Sequence, residues 1–116
     1  MIKMIKVSLV GKIDGKDEFS HLIESWDTYG MPIKRVMDAA ESFRDYWYSE
    51  RDYLQYSFVN APYAVVSDGT PLGELFARAE WVVRVTLVGP RLNPIESMES
   101  DPFEFGKSEV ASIYGE

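Results

Sequence analysis

The sequence predicts an α+β domain in which one or two helices pack on a small antiparallel sheet, formed by an N-terminal strand and a C-terminal hairpin. Two stretches, 5–13 and 81–88, alternate apolar and polar residues with the period of a half-buried strand. Between them, from about residue 32 to at least 48, apolar residues recur every three or four positions, which is typical of an amphipathic helix. The 116 residues suffice for one domain, since single domains commonly have about 100–150.

The segment that follows the first strand is predicted to be a short helix. The "DG" pair at 14–15 marks a turn after the strand. Asp17 then suits the N-cap of a helix that Gly30 ends, because its side chain can accept a hydrogen bond from the first turn. The apolar residues at helical spacing within this segment are Phe19, Leu22, Ile23 and Trp26.

The long helix is the strongest element that the sequence predicts. Pro32 suits its first position, because the first helical N–H has no partner inside the helix and proline has none to lose. The apolar stripe of this helix consists of Ile33, Val36, Met37, Ala40, Phe43 and Trp47. Such a stripe predicts that one side of the helix packs on the sheet.

The segment before the second strand has two interpretations. Residues 74–80 fit a short helix with Thr70 as N-cap and Pro71 at its first position, yet they also extend the alternation of 81–88 backwards. The longer alternating match favours a β-hairpin. Residues 81–88 form a strand in both interpretations.

Regular structure is expected to end at Pro90 and Pro94, since proline does not sit inside a central strand. Residues 1–95 are therefore predicted to form one compact domain, and 96–116 an acidic, loosely packed tail anchored by Phe103 and Phe105. This tail holds six of the 19 acidic residues and one of the 12 basic residues of the chain.

The formal net charge of −7 indicates which partners the chain prefers. It argues against direct binding to nucleic acid, which depends on lysine and arginine at the phosphates. It favours a larger basic protein, for example one that handles nucleic acid itself. No segment has the roughly 20 apolar residues of a membrane span, and the first residues lack the apolar core of a secretory signal, so a cytoplasmic location without membrane contact is expected.

The sequence predicts neither an enzyme nor a bound metal or other cofactor. It contains no cysteine and one histidine, which excludes a zinc site of the Cys/His type and a cysteine nucleophile. His21 has Asp17 and Glu24 nearby in sequence, but a solvated position on the short helix is the stronger interpretation. No glycine-rich loop precedes a Lys-Ser/Thr pair, so no phosphate-binding loop is expected.

The stretch "RDYWYSERDYLQY", residues 44–56, is the best indication of a binding site. Phe43 and Trp47 belong to the buried stripe, but rings that surround a helix cannot all be buried by one small sheet. Tyrosine and arginine are frequent among the residues that dominate protein interfaces. The predicted contact residues in this stretch are Tyr46, Tyr48, Tyr53, Asp45, Asp52 and Arg51.

A row of acidic residues extends this predicted site along the helix. Asp38, Glu41, Asp45 and Asp52 are three, four and seven residues apart, which places them on one face. Such a row is typical of an ordinary solvent-facing side, and it also suits the basic groove of a phosphate-binding protein. For the arginines of the stretch, stacking on the rings or pairing with these acids inside the protein is the alternative role.

Together these features predict a small acidic interaction protein, an inhibitor or modulator that docks on a basic, nucleic-acid-handling partner. In size and acidity, though in no motif, it resembles the phage-encoded inhibitors of bacterial defence nucleases called anti-CRISPR proteins. The alternative is a structural or assembly subunit of phage type, which would form a homo-oligomer through its aromatic face or through 81–88 as an edge strand. A third hypothesis is an enzyme or ligand-binding protein with a pocket between helix and sheet.

Overall fold

The described residues form a four-stranded antiparallel sheet with a long helix across one face. The structure, a computed structural model, describes residues 1–54 and 78–104. In chain order the elements are β1 (Met4–Ile13), β2 (Lys16–Asp27), α1 (Ile33–Ser49), β3 (Glu80–Val88) and β4 (Pro94–Glu99). The strand order is β2-β1-β3-β4, so β1 and β3 are interior strands while β2 and β4 are the edges.

This arrangement confirms the predicted α+β class. β1 is the N-terminal strand, α1 is the long helix that begins after Pro32, and β3 and β4 form the C-terminal hairpin. β3 begins at Glu80 and is paired on both sides, with β1 and with β4. Edge-to-edge pairing of two copies through 81–88 is therefore not open to this chain. Of the range 74–80, residues 74–77 lie outside the described residues, but Arg78 is helical and Ala79 belongs to no strand, so the favoured extension of the strand before Glu80 is wrong at these two residues.

The predicted helix at 17–29 is wrong, because this segment is the edge strand β2. Asp14 and Gly15 have φ values of 54° and 79°, the left-handed values that a two-residue hairpin turn requires, so the chain reverses directly into β2. The register between β1 and β2 shifts at Val7/Ser8 and at Gly11/Lys12. Each shift inserts an extra residue into β2 and interrupts the two-residue period. The apolar residues of β2 consequently recur at three- and four-residue steps, like those of a helix.

The expectation that regular structure ends before the tail is also wrong. Pro94 is the first residue of the edge strand β4, where the missing N–H removes no hydrogen bond from the sheet interior. Farther along, Phe103 is buried and exchanges two backbone hydrogen bonds with Trp81, of 2.8 and 2.9 Å. The predicted boundary at residue 95 therefore falls within β4. Phe105 and the residues that follow it lie outside the described part of the chain.

The core lies between α1 and the sheet. Alternate residues of the two interior strands form its floor, and these buried side chains are Ile5, Val7, Leu9, Trp81, Val83, Val85 and Leu87. From α1, Val36 and Ala40 are buried on this floor, and Phe43 and Trp47 are partly buried against it, as the sequence predicts. Gly11 is required within the floor, because a Cβ there would lie 2.9 Å from the Trp81 ring.

The opposite face of the sheet is held by four charged side chains, one from each strand. Arg84 of β3 donates to both carboxylate oxygens of Asp17 on β2, at 2.7 and 3.1 Å, and to Glu99 of β4 at 2.8 Å. Lys12 of β1 donates to the other oxygen of Glu99 at 2.9 Å. We call these four residues the cross-sheet ion network. Two of its three salt bridges, Lys12–Glu99 and Arg84–Asp17, join strands that are not neighbours, and Arg84–Glu99 joins the neighbours β3 and β4, so together they span the width of the sheet.

The cross-sheet ion network also covers apolar residues. β1 lies between β3 and β2, so the Arg84 side chain must cross β1 to reach Asp17. Lys12 likewise crosses β3 to reach β4. Val10 and Val82 are paired at this level of the sheet and are 0% and 3% exposed, although they face away from α1. The aliphatic stems of the two cations therefore contribute packing as well as charge.

Acid is expected to weaken the fold through this network. The hydrogen bond from Arg84 lowers the pKa of Asp17 below its ordinary 3.8. Burial raises the pKa of Glu99, but hydrogen bonds from Lys12 and Arg84 outweigh it, so the pKa lies below the ordinary 4.5. The two carboxylates therefore stabilise the folded state above these ordinary values, and the contribution is lost as the pH falls through the lowered pKa values.

Urea unfolding between about pH 6 and pH 2.5 measures this effect. The free energy of unfolding of Arg84→Met is expected to fall less steeply with acid than that of the wild type. Arg35→Met is the matched control, because Arg35 is an exposed arginine of α1 outside the network. Identical acid dependence in the wild type and Arg84→Met would contradict the assignment.

Candidate protein-binding surface on helix α1

The outer side of α1 carries three of the acidic residues predicted to contact a partner. At 3.6 residues per turn, Asp38, Glu41 and Asp45 lie opposite Val36 and Ala40 on the helix. The three carboxylates are exposed, whereas Val36 and Ala40 are 2% and 0% exposed. One side of α1 therefore packs on the core, and the other side exposes these three carboxylates to solvent. We call them the acidic row.

Most of the charge of the acidic row is available to a partner. In the part of the chain that the structure describes, no ion pair involves Asp38 or Glu41. Asp45 pairs with the adjacent Arg44, whose Nε lies 3.0 Å from Oδ1, and this pair is exposed enough for water to screen it. From its first to its last member the row spans about 10 Å at 1.5 Å per residue.

Asp52 and Tyr53 belong to a separate helical segment. Glu50 ends α1 with φ −98° and ψ 21°, and residues 51–54 are helical again. Leu54 is 3% exposed and holds this segment on the core, while Asp52 is exposed and Tyr53 is 57% exposed. The four acids predicted to line one face are thus divided between two helical segments.

Tyr48 and Arg51 are engaged within the protein. The Tyr48 ring is half-buried and packs edge-on against Phe103, with ring centroids 5.8 Å apart. The Arg51 guanidinium lies 4.4 Å above the Tyr48 ring centroid, and its Nη1 donates to the Tyr48 carbonyl at 2.8 Å. Arg51 thus has the internal stacking role that the sequence offered as its alternative. That either residue contacts a partner stays a prediction.

A second group of aromatic side chains lies where α1 meets the edge strand β2. Both oxygens of Glu24 are used: one accepts the indole N–H of Trp26 at 2.9 Å and the other that of Trp47 at 2.5 Å. Trp26 packs on Phe43 with centroids 5.3 Å apart, and Tyr46 packs edge-on against Trp47 at 5.1 Å. We call these five residues the Glu24 aromatic cluster. One carboxylate fixes the orientation of two indoles.

The Glu24 aromatic cluster includes two residues that the sequence did not single out together. The sequence places Trp26 on the apolar face of the predicted short helix and Glu24 near His21. In β2 the bulge places Glu24 opposite Val7 and Trp26 opposite Ile5, on the face that α1 covers. The cluster is incompletely covered: Trp26 is 48% exposed and Tyr46 is 55% exposed. The "DG" turn signal, weighed more heavily, would have indicated β2 and this placement.

The other features of the described residues that bear on chemistry are a histidine, the acidic side chains and a groove. His21 lies in β2 opposite Leu9 and is exposed. Within 1–54 and 78–104, no group of three or more His, Asp or Glu side chains is placed to hold a metal. A groove of about 440 Å³ lies against β3 and β4 and includes Arg84 and Glu99, which already bind each other. In the same residues, no helix combines the length and the apolarity that crossing a membrane requires.

Comparison with known proteins gives no relative from which a function follows. No family model matches the chain, and neither the curated proteins nor the solved structures contain a match.

Trp47, Tyr48 and Tyr53 differ in burial, and this predicts a graded loss of stability when each is replaced with alanine. Trp47→Ala is expected to lower the free energy of unfolding by about 3 kcal/mol, because it removes a large ring packed on the core. Tyr48→Ala is expected to cost about 1–2 kcal/mol through its contacts with Phe103 and Arg51. Tyr53→Ala, the exposed control, should change stability by less than about 0.5 kcal/mol. Urea unfolding measures all three, and a Tyr48→Ala variant as stable as Tyr53→Ala would contradict the internal role.

Proposed function

We propose that this protein is a non-enzymatic interaction protein that acts in the cytoplasm, where it binds a larger basic, nucleic-acid-handling protein and inhibits or modulates it. The observation that carries the proposal is the acidic row, which packing of the other side of α1 keeps turned to solvent. The net charge of −7 supports it, because complementary charge speeds association and disfavours partners of the same sign. The exposed Tyr46 beside the row adds a side chain of the type that dominates interfaces.

The spacing of the carboxylates sets what the acidic row can imitate. Three charges over about 10 Å give one charge per roughly 5 Å along α1. A nucleic-acid strand carries one charge per about 3.4 Å. The acidic row can therefore pair with a few basic side chains of a phosphate-binding groove, but it does not cover the whole surface that a duplex would contact. Because those side chains position the nucleic acid, occupying them blocks its binding.

Charge reversal tests the acidic row directly. The wild-type protein, tagged and incubated with a bacterial lysate, is expected to capture a basic nucleic-acid-binding protein at low salt and to lose it at about 0.5 M salt, where the Debye length is only a few Å. Replacing the three residues of the acidic row, and Asp52 of the following helical segment, with lysine is expected to abolish this capture at low salt; we call this protein the four-lysine variant. Mass spectrometry of the bound fraction identifies and quantifies the partner.

The matched control changes the net charge equally at another place. Glu18, Glu80, Glu96 and Glu104 are exposed and lie outside α1, so their replacement with lysine gives the same total charge. This control is expected to retain more of the captured protein than the four-lysine variant does. Equal loss in the two variants would mean that net charge alone, and not the acidic row, directs binding.

A structural subunit that self-associates is the second candidate. The half-exposed Trp26 and Tyr46 favour it, because aromatic side chains are enriched at interfaces between subunits. Sedimentation of the purified protein over a wide range of concentration distinguishes the candidates. A strict monomer argues for the inhibitor, and a concentration-dependent dimer argues for the subunit.

A further inference from the structure

The Glu24 aromatic cluster has the composition of a site for a cationic side chain. Two indoles bind one carboxylate and each packs on a further ring, and two of the four rings are about half exposed: Trp26 at 48% and Tyr46 at 55%. The contacts link these side chains to one another. Trp26 packs on Phe43, and Phe43 and Trp47 are neighbours one turn apart on α1. The indoles of Trp26 and Trp47 both bind Glu24. The rings are therefore held in place before any partner arrives.

We propose that the Glu24 aromatic cluster docks an arginine side chain of the basic partner. This inference rests on the proposed function and names the contact that accompanies the acidic row. A guanidinium is planar and weakly hydrated, so it stacks on the exposed faces of Trp26 and Tyr46 better than a lysine ammonium does. Both indole N–H groups point to a carboxylate, which draws negative charge towards the rings and strengthens their attraction for a cation.

Charge complementarity selects an arginine over an apolar occupant. The Glu24 carboxylate lies within the cluster and binds both indoles. An apolar partner side chain would remove water from this carboxylate without offering it a counter-charge. An arginine can offer that counter-charge and stack on the rings at once. Because the acidic row lies on the same helix, one basic partner can reach both surfaces.

Two peptides of equal charge test the proposal. A nine-residue polyarginine and a nine-residue polylysine are titrated separately into the isotopically labelled protein at fixed ionic strength, and the three indole N–H signals are followed by NMR. Polyarginine is expected to shift the signals of Trp26 and Trp47 and to leave that of the buried Trp81 unchanged. It is expected to bind more tightly than polylysine, by about 2- to 5-fold for each exposed ring engaged.

Variants separate the cluster from the acidic row. Tyr46→Ala and Trp26→Leu are expected to remove the preference for polyarginine, while Tyr53→Ala, another exposed tyrosine, retains it. Tyr46→Ala keeps the test valid if Trp26→Leu proves unstable, because Tyr46 lies on the helix surface. The triple variant Asp38→Asn, Glu41→Gln, Asp45→Asn is expected to weaken both peptides about equally, since it removes charge without touching a ring.

Each outcome decides between the two surfaces. Equal affinity for the two peptides, or an unchanged preference in both cluster variants, overturns the inference; if the triple variant still weakens binding, the proposed function survives that failure. If the triple variant binds both peptides like the wild type while the cluster variants do not, the proposal that the acidic row binds the partner is contradicted instead. A shift of the Trp26 signal with protein concentration alone, together with dimer formation, assigns the cluster to a second copy and overturns the inference.

Discussion

The fold depends on the burial of Trp81 against Gly11. The two residues are paired across the interior strands β3 and β1, and the ring fills the space that any larger residue at position 11 would need. A shift of this register by one residue would turn the core-facing side chains of a strand to the other face. The contact between Trp81 and Gly11 therefore helps to fix the register of β1 and β3. Trp81 also packs edge-on against Phe19 of β2, with centroids 5.7 Å apart, and pairs with Phe103 after β4. Trp81 thus connects the centre of the sheet to both of its sides, through its ring to Phe19 and through its backbone to Phe103.

The two proposed binding surfaces follow from how α1 lies on this sheet. Its inner side is occupied by the core, so the acidic row must face solvent. The edge of α1 near β2 is only partly covered, because β2 is the last strand of the sheet, and there Glu24 holds two indoles at the surface. The cross-sheet ion network satisfies Glu99, so this acid belongs to the fold rather than to a free acidic tail. The outer side of α1 therefore presents three carboxylates to a partner along one row.

The sequence predicts elements well where the periodicity is unbroken and poorly where bulges or edge positions alter the rules. β1, α1 and β3 each keep one period, and their core residues follow from it. β2 was mistaken for a helix because its two bulges imitate helical spacing, and β4 was missed because Pro94 is tolerated at the start of an edge strand. The acidic row could be placed on a helix face from spacing alone. The hydrogen bonds between Glu24 and two tryptophans could not be predicted in this way, because they depend on which strand lies beside α1.

The measurement that tests the central claim most directly is displacement of nucleic acid from the captured partner. A fluorescent oligonucleotide bound to that partner has high polarisation, and the claim predicts that adding this protein lowers the polarisation to the value of free oligonucleotide. The four-lysine variant should leave the polarisation unchanged, because it no longer competes for the basic side chains. Polarisation that stays high or rises while the wild-type protein binds would show that protein and nucleic acid occupy different surfaces, and would contradict the claim.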